Sequence, residues 1–297
     1  MQRQLSEFEK HGAAAGDAGR PERADWTIEQ GWEKYNAEQH ATWRTLFERQ
    51  SKLLPGRACD EFVQGMRDLP IGADQIPDFR RLSDVLMKRT GWQVVAVPGL
   101  VPDEVFFEHL AHRRFPSGHF IRRPDELDYL QEPDVFHDVF GHVPMLMNPV
   151  IADYIQAYGE GGLRAQRLGK LDNLARVYWY TVEFGLLQQS DGLRIYGAGI
   201  ASSYTESVFA LDDPSPNRIR FELERLMRTH YRIDDFQESY FVIDNLDELL
   251  ALASIDFGPI YERIQGQPEY EPGQLLAEDK LLARGTGQYH ADKRRRR

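Results

Sequence analysis

Cysteine is almost absent from this sequence of 297 residues, in which Cys59 is the only one. A single cysteine excludes a disulfide bond within the chain and a metal cluster held by several thiolates. Such sparing use of cysteine is typical of proteins of the reducing cytoplasm. We therefore expect a cytoplasmic protein whose chemistry depends on other side chains.

The chain also lacks long apolar runs and has fewer basic residues (36) than acidic residues (47). No stretch approaches the roughly 18 consecutive apolar residues of a transmembrane helix, and residues 1–16 lack the apolar segment of a signal peptide. The formal net charge of −11 argues against nucleic acid or an anionic membrane surface as the main partner. The one basic run, residues 293–297, is typical of a solvated tail. These features argue against a membrane protein and against a nucleic-acid-binding protein.

The remaining composition, 41% hydrophobic and 28% charged, is that of an ordinary globular protein. Residues 1–25 are polar and rich in alanine, glycine and charge, which predicts disorder. Residues 26–265 carry mostly helical patterns and no linker, so we expect one mainly α-helical domain with a few short strands. Residues 266–297 are predicted to be a mostly irregular tail, in which only residues 275–284 favour a helix.

Periodic spacing of apolar residues gives the expected elements of this domain. Strands are predicted in residues 92–99 and 239–244. One helix has Asn148 as its N-cap, Pro149 at its first position and Gly159 past its end. The other predicted helices lie in residues 35–56, 76–91, 101–116, 172–192, 215–232 and 245–254.

Two histidines five positions apart stand in the stretch PDVFHDVFGHVP, residues 133–144. On a regular α-helix His137 and His142 lie about 140° apart, so they do not share a face. A break or bulge at Gly141 changes this, because a π-type turn makes position i+5 the near neighbour. Asp134, one turn before His137, is placed to accept the ring N–H that a metal-bound imidazole leaves free. The stretch favours a metal site, although two capping or core histidines are also compatible with it.

Glu183 is the only charged residue in the apolar stretch VYWYTVEFGLL, residues 177–187. On a helix its neighbours include Trp179 and Leu187, so no face of the helix offers the carboxylate water. A buried carboxylate is costly unless it is paired or binds a cation, and no lysine or arginine lies within one turn. A bound metal ion solves this problem.

Two imidazoles and one carboxylate form the facial triad that suits non-haem Fe(II) and leaves positions open for O₂ and substrate. His137, His142 and Glu183 are therefore the predicted metal ligands. Zinc is also chemically compatible with this set. A zinc protease of the H-E-x-x-H type needs a glutamate between the histidines, and here residues 138–141 read DVFG.

The other histidines carry weaker signals. His11, His40 and His290 lie in polar surroundings and are predicted at the surface. His109 and His112 precede two arginines, whose charge opposes metal binding, so a polar helix face is favoured there.

Three stretches together resemble one known family, the pterin-dependent aromatic amino acid hydroxylases, and most closely its bacterial members. They are EPDVFHDVFGHVP (residues 132–144), YWYTVEFGL (178–186) and YGAGIASSYTE (196–206). The resemblance extends from about residue 35 to about residue 260. It implies the mainly α-helical catalytic domain of that family and an Fe(II) held by the predicted triad.

The activity that the resemblance implies is hydroxylation of L-phenylalanine to L-tyrosine with O₂ and a tetrahydropterin cosubstrate. A tryptophan hydroxylase of the same family is the first alternative, because the shape of the pocket rather than the triad selects the ring. A zinc-dependent hydrolase on the same three ligands is an alternative from a different class. It works without O₂ or pterin.

The stretch PGLVPDEVF, residues 98–106, resembles the pterin-binding segment of the family. Phe106 matches an aromatic ring that stacks on the pterin, and Gly99 to Val101 match backbone that lies along its edge. Asp138 matches a glutamate that reaches the pterin side through water. Without the family, Phe106 is better explained as a core residue.

The resemblance also implies contacts to the amino acid substrate. Arg122 matches the guanidinium that binds the substrate carboxylate, a planar fork suited to bidentate pairing. Ser202 matches a hydroxyl near the same carboxylate, and Glu206 matches its partner. Asp134 is expected to steady Arg122 as well as His137.

Tyr129 and Trp179 match aromatic residues near the ring of the substrate. Leu130 stands where animal members have a threonine, so the network around the substrate carboxylate differs here in detail.

Few residues precede the matched region, and the C-terminal residues lack heptads long enough for the coiled coil that tetramerises animal members. We expect a monomer without a regulatory domain.

Overall fold

The computed structural model describes residues 23–128 and 132–296. Among these residues, no helix combines the length and the apolar character that a membrane span requires. The α-helices are, in chain order, α1 (Ala37–Leu53), α2 (Asp60–Asp68), α3 (Phe79–Arg89), α4 (Asp103–Ala111), α5 (Pro149–Leu168), α6 (Leu171–Tyr178), α7 (Ala198–Ala201), α8 (Tyr204–Asp212), α9 (Leu223–Met227), α10 (Asp247–Ala253), α11 (Gly258–Ile264) and α12 (Gln288–Arg296). Shorter 3₁₀ and π segments are Trp32–Lys34, Pro124–Glu126, Phe136–His142, Val143–Met147 and Trp179–Glu183.

The strands form two small sheets. The first is a parallel pair of β1 (Gln93–Val97) and β2 (Arg114–Gly118). The second has the order β4-β3-β6-β5-β7, with β6 buried along its whole length at the centre. Its strands are β3 (Leu186–Gln189), β4 (Gly192–Ile195), β5 (Asn217–Arg220), β6 (Ser239–Ile243) and β7 (Leu281–Ala283).

Aromatic side chains fix the Phe136–His142 turn in the core. The ring of Trp43 meets that of Phe136 edge-on, with the ring centroids 5.2 Å apart. Phe47 meets Phe140 in the same way at 5.7 Å, and Phe136 and Phe140 stack on each other at 4.8 Å. Offset and edge-on contacts of this kind suit the aromatic quadrupole. Helix α1 is therefore the platform on which this turn is built.

Several predicted elements are confirmed. Helix α1 begins after Asn36, whose side chain forms a capping box with Gln39. Helices α3 and α10 and strands β1 and β6 lie within their predicted stretches. Helix α4 confirms only the first part of the helix predicted over residues 101–116, because it ends at Ala111 and residues 114–116 belong to strand β2, which pairs with β1. Asn148 is the N-cap of α5 and Pro149 its first residue, as expected.

Three further helix predictions are wrong in extent or type. Helix α5 does not end at Gly159 but continues to Leu168, because that glycine packs its backbone closely against Ala111 and Leu110. Residues 172–192 do not form one helix: α6 is followed by a π turn and then by strand β3. Residues 215–232 contain β5 and only a short α9.

In each of the last two segments, pairing with β6 overrides the helical pattern. Strand formation depends on the partner that tertiary structure supplies, which the local pattern does not show.

The C-terminal segment packs on the domain more closely than predicted. Within the stretch expected to be helical, Leu281–Ala283 forms a strand that pairs with β5. His290, predicted at the surface, is buried, because Phe209 and Tyr289 pack their rings against it. The basic run is exposed at positions 294–296, as expected, but forms the last turn of α12. Of the predicted disordered segment, residues 1–22 lie outside the described residues.

Candidate metal centre and substrate pocket

The segment Phe136–His142 forms a π-helical turn instead of an α-helix. The wider turn rotates His142 back toward His137, so that their Nε2 atoms lie 3.2 Å apart. The bulge that the five-residue spacing requires is thereby confirmed. Gly141 permits it, because a Cβ atom at this position would lie 2.8 Å from the carbonyl oxygen of Ala198.

A second π-helical turn, Trp179–Glu183, brings the carboxylate of Glu183 to the same point. Its Oε1 lies 3.0 Å from Nε2 of His142, and its Oε2 lies 3.5 Å from Nε2 of His137. The backbone N–H of Gly199 donates a hydrogen bond to this carboxylate. The three side chains thus present one ligand atom each within 4.8 Å of one another.

These separations fit ligands that share one cation. Two ligand atoms about 2.1 Å from an ion and at right angles lie about 3.0 Å apart. The distances of 3.0, 3.2 and 3.5 Å are close to that value. Within residues 23–128 and 132–296, no further histidine, cysteine or carboxylate joins the group. The donor set therefore fits a divalent ion with positions open to other ligands.

The electrostatics of the triad also favour a bound cation. Burial lowers the pKa of His137 to about 4, so its imidazole is neutral at pH 7. Burial also disfavours charge on His142, but the Glu183 carboxylate outweighs burial and raises the pKa of His142. Burial raises the pKa of Glu183, but His142 and His137 together bring it below its usual value. The carboxylate is thus an anion in the interior, which a divalent ion neutralises.

The partner of the His137 ring differs from the predicted one. Nδ1 of His137 lies 2.9 Å from the hydroxyl oxygen of Ser202, which donates its own proton to the carbonyl of Ala198 at 2.8 Å. Asp134 instead accepts the backbone N–H of His137 at 3.0 Å, because its side chain caps the start of this turn. The prediction that Asp134 accepts the ring N–H is therefore wrong.

Asp134 does hold Arg122 as expected. Oδ2 accepts from Nε and Oδ1 from Nη2, both at 2.9 Å, and Oδ2 also accepts the backbone N–H of Arg122. Both side chains are buried, and the Arg122 hydrogen bonds, its charge and the backbone N–H groups lower the pKa of Asp134 against the effect of burial. A bidentate, buried pair of this kind fixes the plane of the guanidinium.

Phe106, the predicted stacking residue for the pterin, is linked to the triad through one other ring. Phe106 is half-buried and meets the ring of Tyr178 edge-on, with centroids 5.9 Å apart. Tyr178 in turn lies parallel to the ring of His142 at 6.3 Å. A row of rings thus joins Phe106 to a triad histidine.

The backbone of Gly99 to Val101 is held by Glu132. Oε1 of Glu132 accepts the N–H of Leu100 at 3.3 Å and would lie 2.6 Å from a Cβ atom at position 99. A side chain at position 99 would therefore displace the Glu132 carboxylate from this contact.

Asp138 is buried and contacts the end of strand β2. Its Oδ2 accepts the backbone N–H of Gly118 at 2.8 Å. Burial raises the pKa of Asp138 to about 7, against the opposing effect of His142.

Aromatic rings surround Trp179. Its indole stacks on Tyr231 with centroids 4.3 Å apart, and Phe184 lies 4.8 Å away. The indole N–H donates to Oε1 of Gln237 at 3.0 Å. Tyr129, predicted beside Trp179, lies outside the described residues.

Glu206 is buried, but its partners differ from the predicted one. Its Oε1 accepts from the hydroxyl of Tyr240 and from the backbone N–H of Gln237. In the part of the chain that the structure describes, no hydrogen bond joins Glu206 to Ser202. Glu206 lies on α8, and its carboxylate contacts Tyr240 of β6. The local sequence does not show that these two elements are neighbours.

Comparison with known proteins agrees with this geometry. The family model of the biopterin-dependent aromatic amino acid hydroxylases matches residues 31–254. The chain belongs to this family. The match spans both π turns and all three triad residues.

Relatives in the hydroxylase family are similar over nearly their whole length. A phenylalanine-4-hydroxylase of Caulobacter vibrioides is 63% identical over 267 residues, which cover 90% of this chain and 91% of the relative. A phenylalanine hydroxylase of Chromobacterium violaceum solved with iron and phenylalanine is 51% identical, with a TM-score of 0.83 over 93% of this chain and 100% of that one. Another structure of that protein, with iron(III) and 7,8-dihydrobiopterin, gives a TM-score of 0.84 at 52% identity, over 94% and 100% of the two chains.

Three residues that contact the predicted site residues escaped the sequence analysis: Glu132, Tyr231 and Gln237. Glu132 stands in the quoted stretch EPDVF, and its position next to a proline gave no sign of a contact with position 99. In the structure Tyr231 and Gln237 lie between α9 and β6. The sequence analysis included Tyr231 in the helix predicted over residues 215–232, and Gln237 lay outside the predicted elements. A polar glutamine just before the apolar strand β6 was the available signal.

Proposed function

We propose that this chain is a phenylalanine 4-monooxygenase, which hydroxylates L-phenylalanine to L-tyrosine with O₂, Fe(II) and a tetrahydropterin. The observation that carries the proposal is the meeting of His137, His142 and Glu183 at one buried point in a member of the hydroxylase family. The relatives named above, and the iron, phenylalanine and pterin in the solved structures, support the same activity.

The three triad side chains are the residues that hold the iron. Their donor set, two imidazole nitrogens and a carboxylate oxygen, would hold a divalent ion and leave room for further small ligands. The iron and the tetrahydropterin together supply the activation of O₂, which protein side chains cannot supply. The chain's own part is to bind, orient and shield the reactants.

Arg122 binds the carboxylate of the amino acid in this proposal. Its Nε and Nη2 are engaged by Asp134, and Nη1 has a long contact of 3.4 Å to the carbonyl of Leu127. Nη1 is therefore the donor best placed to turn to a substrate carboxylate. Because Asp134 also caps the turn that begins before His137, the substrate anchor and a metal ligand share one support. Such shared support sets the reacting ring at a fixed place relative to the iron.

The ring of the substrate lies against Trp179 and its neighbours in the proposal, with Tyr129 assigned to the same pocket. Aromatic walls bury an apolar ring and exclude water from the oxidising site. Ser202 orients His137 through Nδ1, and its place near the substrate carboxylate stays a prediction.

The pterin lies against Phe106, with the backbone of Gly99 to Val101 along its edge. Asp138 is assigned to the same side of the triad. The row of rings from Phe106 through Tyr178 to His142 supports this assignment.

The test is anaerobic reconstitution with Fe(II), followed by addition of phenylalanine, tetrahydropterin and O₂, with product analysis. We expect tyrosine, formed only when all four components are present, and a higher kcat/KM for phenylalanine than for tryptophan. A higher kcat/KM for tryptophan would instead support a tryptophan hydroxylase of the same family. Turnover of an ester or amide by zinc-loaded protein, without O₂ or pterin, would contradict it.

We also propose that the enzyme acts as a monomer in the cytoplasm. The use of a single cysteine and the lack of long heptads support this. Light scattering during size-exclusion chromatography tests the mass, for which we expect 34.4 kDa.

A further inference from the structure

The buried side chain of Gln237 binds Trp179, one of the aromatic residues proposed to contact the substrate ring. Gln237 is 1% exposed and belongs to residues 230–238, the segment between α9 and β6, which we name the wall loop. The same loop carries Tyr231, which stacks on Trp179. The wall loop therefore supplies both a ring that covers one face of the indole and an amide that binds its edge.

Both the oxygen and the nitrogen of the Gln237 side-chain amide have hydrogen-bond partners. Oε1 accepts the indole N–H of Trp179 at 3.0 Å and lies 3.4 Å from the backbone nitrogen of Arg232. Nε2 donates to the carbonyl oxygen of Arg232 at 2.7 Å. Reversing the amide would set two donors against each other at Trp179 and two acceptors at Arg232, so the network allows one orientation.

Hydrogen bonds and an ion pair to neighbouring elements fix the backbone of the wall loop around Gln237. The backbone N–H of Gln237 donates to Glu206 at 3.4 Å, and Tyr240 donates to the same carboxylate. Nearby, Asp235 accepts from the hydroxyl of Tyr289 at 3.0 Å and pairs with Lys293 at 2.9 Å. Residues of α12 thus bind the wall loop directly, and Glu206, which Tyr240 of β6 also contacts, binds its backbone.

Trp179 is also the first residue of the π turn that ends at Glu183. Its carbonyl oxygen accepts the N–H of Phe184 at 2.8 Å. The plane of the indole is consequently set at one end by the turn that carries a triad ligand and at the other by Gln237.

We propose that Gln237 is a positioning residue that fixes the plane of Trp179 and thereby favours phenylalanine over larger aromatic substrates. The inference rests on the proposed function and extends it to the selection of the ring. The indole N–H is a partly buried donor whose partner among the described residues is Gln237. Without that acceptor the indole turns to find another partner, because a donor that is shielded from water and left unpaired is costly. A turned indole changes the width of the slot for the substrate ring.

The test compares Gln237→Met, which keeps the length and removes both polar ends, with the wild-type protein. We expect kcat/KM for phenylalanine to fall about tenfold and the ratio of kcat/KM for phenylalanine to that for tryptophan to fall as well. The KM for tetrahydropterin and the affinity for Fe(II) should stay within about twofold. The matched control is Asn217→Leu, which removes a buried amide whose hydrogen bonds go to Ser239, Gly273 and Gly285. It should keep the wild-type substrate ratio.

A double-mutant cycle with Trp179→Phe separates positioning from a structural effect. If Gln237 acts through the indole, Gln237→Met leaves the substrate ratio unchanged when Trp179 is already phenylalanine. An equal fall of the ratio in both backgrounds, or a wild-type ratio in Gln237→Met itself, would overturn the inference. Failure of the wild-type protein to form tyrosine is a separate outcome, which would overturn the proposed function.

A measurement on the unmodified side chain covers the case in which Gln237→Met does not fold. In protein labelled with ¹⁵N-tryptophan, the indole signal lost in Trp179→Phe is that of Trp179. We expect this N–H to exchange with solvent much more slowly than an exposed indole. Exchange at the exposed rate would show that Gln237 does not hold the indole, and would overturn the proposal.

Discussion

The hydroxyl of Ser202 and Nδ1 of His137 lie 2.9 Å apart, and the hydroxyl proton is committed to the carbonyl of Ala198. Since the oxygen of Ser202 can then only accept, Nδ1 of His137 carries the ring proton. The lone pair of Nε2 is thereby directed at the point that His142 and Glu183 share. One hydroxyl thus fixes the tautomer that a metal ligand needs.

Replacing Ser202 by alanine should weaken iron binding without unfolding the protein. The ring of His137 loses the acceptor that orients it, and loss of such a partner costs about 10–100-fold in metal affinity. Anaerobic Fe(II) titration measures the change. The control is Ser203→Ala, which removes the N-cap of α8 and should lower stability but leave iron affinity unchanged. Equal iron affinity in wild-type and Ser202→Ala protein would contradict this role.

Replacing Arg122 by lysine should raise the KM for phenylalanine by about tenfold or more. An ammonium cannot keep two hydrogen bonds to Asp134 and also present a fixed donor to a carboxylate. Steady-state kinetics at saturating pterin measures the effect, and the KM for pterin should change little. Arg123→Lys is the matched control, because Arg123 is exposed and its ion pairs among the described residues are with its sequence neighbours Asp125 and Glu126. A wild-type KM in Arg122→Lys would remove Arg122 from the proposed binding site.

Replacing Phe106 by alanine should weaken pterin binding more than phenylalanine binding. The stacking surface is lost, while the contacts of Arg122 are untouched. We expect the KM for tetrahydropterin to rise about tenfold, since one aromatic stack contributes about 1 kcal/mol beyond its buried area. An unchanged pterin KM, with reduced stability alone, would assign Phe106 to the core.

The buried Glu206 should make stability fall as the pH rises. Burial raises its pKa in the folded protein from 4.5 to about 7, although Tyr240 and the N–H of Gln237 oppose this. Because the folded protein holds this proton more tightly than the unfolded chain, stability is lost between pH 4.5 and 7, by up to about 3 kcal/mol.

Denaturant unfolding across this pH range measures the loss. Glu206→Gln should flatten the profile, whereas the exposed Glu262→Gln should keep the wild-type slope. A wild-type slope in Glu206→Gln would show that another group is responsible.

The triad was predictable because its chemistry is local. The spacing of His137 and His142 requires a widened turn, and the apolar surroundings of Glu183 require a counter-ion, and both follow from a few neighbouring residues. The short strands β3 and β5 were not predictable in this way, since each depends on β6, a strand distant in sequence.

The partners of the site residues were harder to predict than the residues themselves. Asp134 was expected at the ring of His137 but binds its backbone, and Ser202 takes the ring. The choice between them depends on how α7 packs against the Phe136–His142 turn. Sequence spacing places residues on a face, but it does not set the distance between two elements.

The central claim is that Glu183 is tolerated in the interior because it shares a divalent ion with the two histidines. Anaerobic equilibrium dialysis against Fe(II) tests it in wild-type protein and in Glu183→Gln, with circular dichroism to verify that both are folded. The account predicts one iron per wild-type chain and an affinity lower by about 100-fold or more in the folded variant. A folded Glu183→Gln protein that retains one iron per chain at wild-type affinity would contradict it.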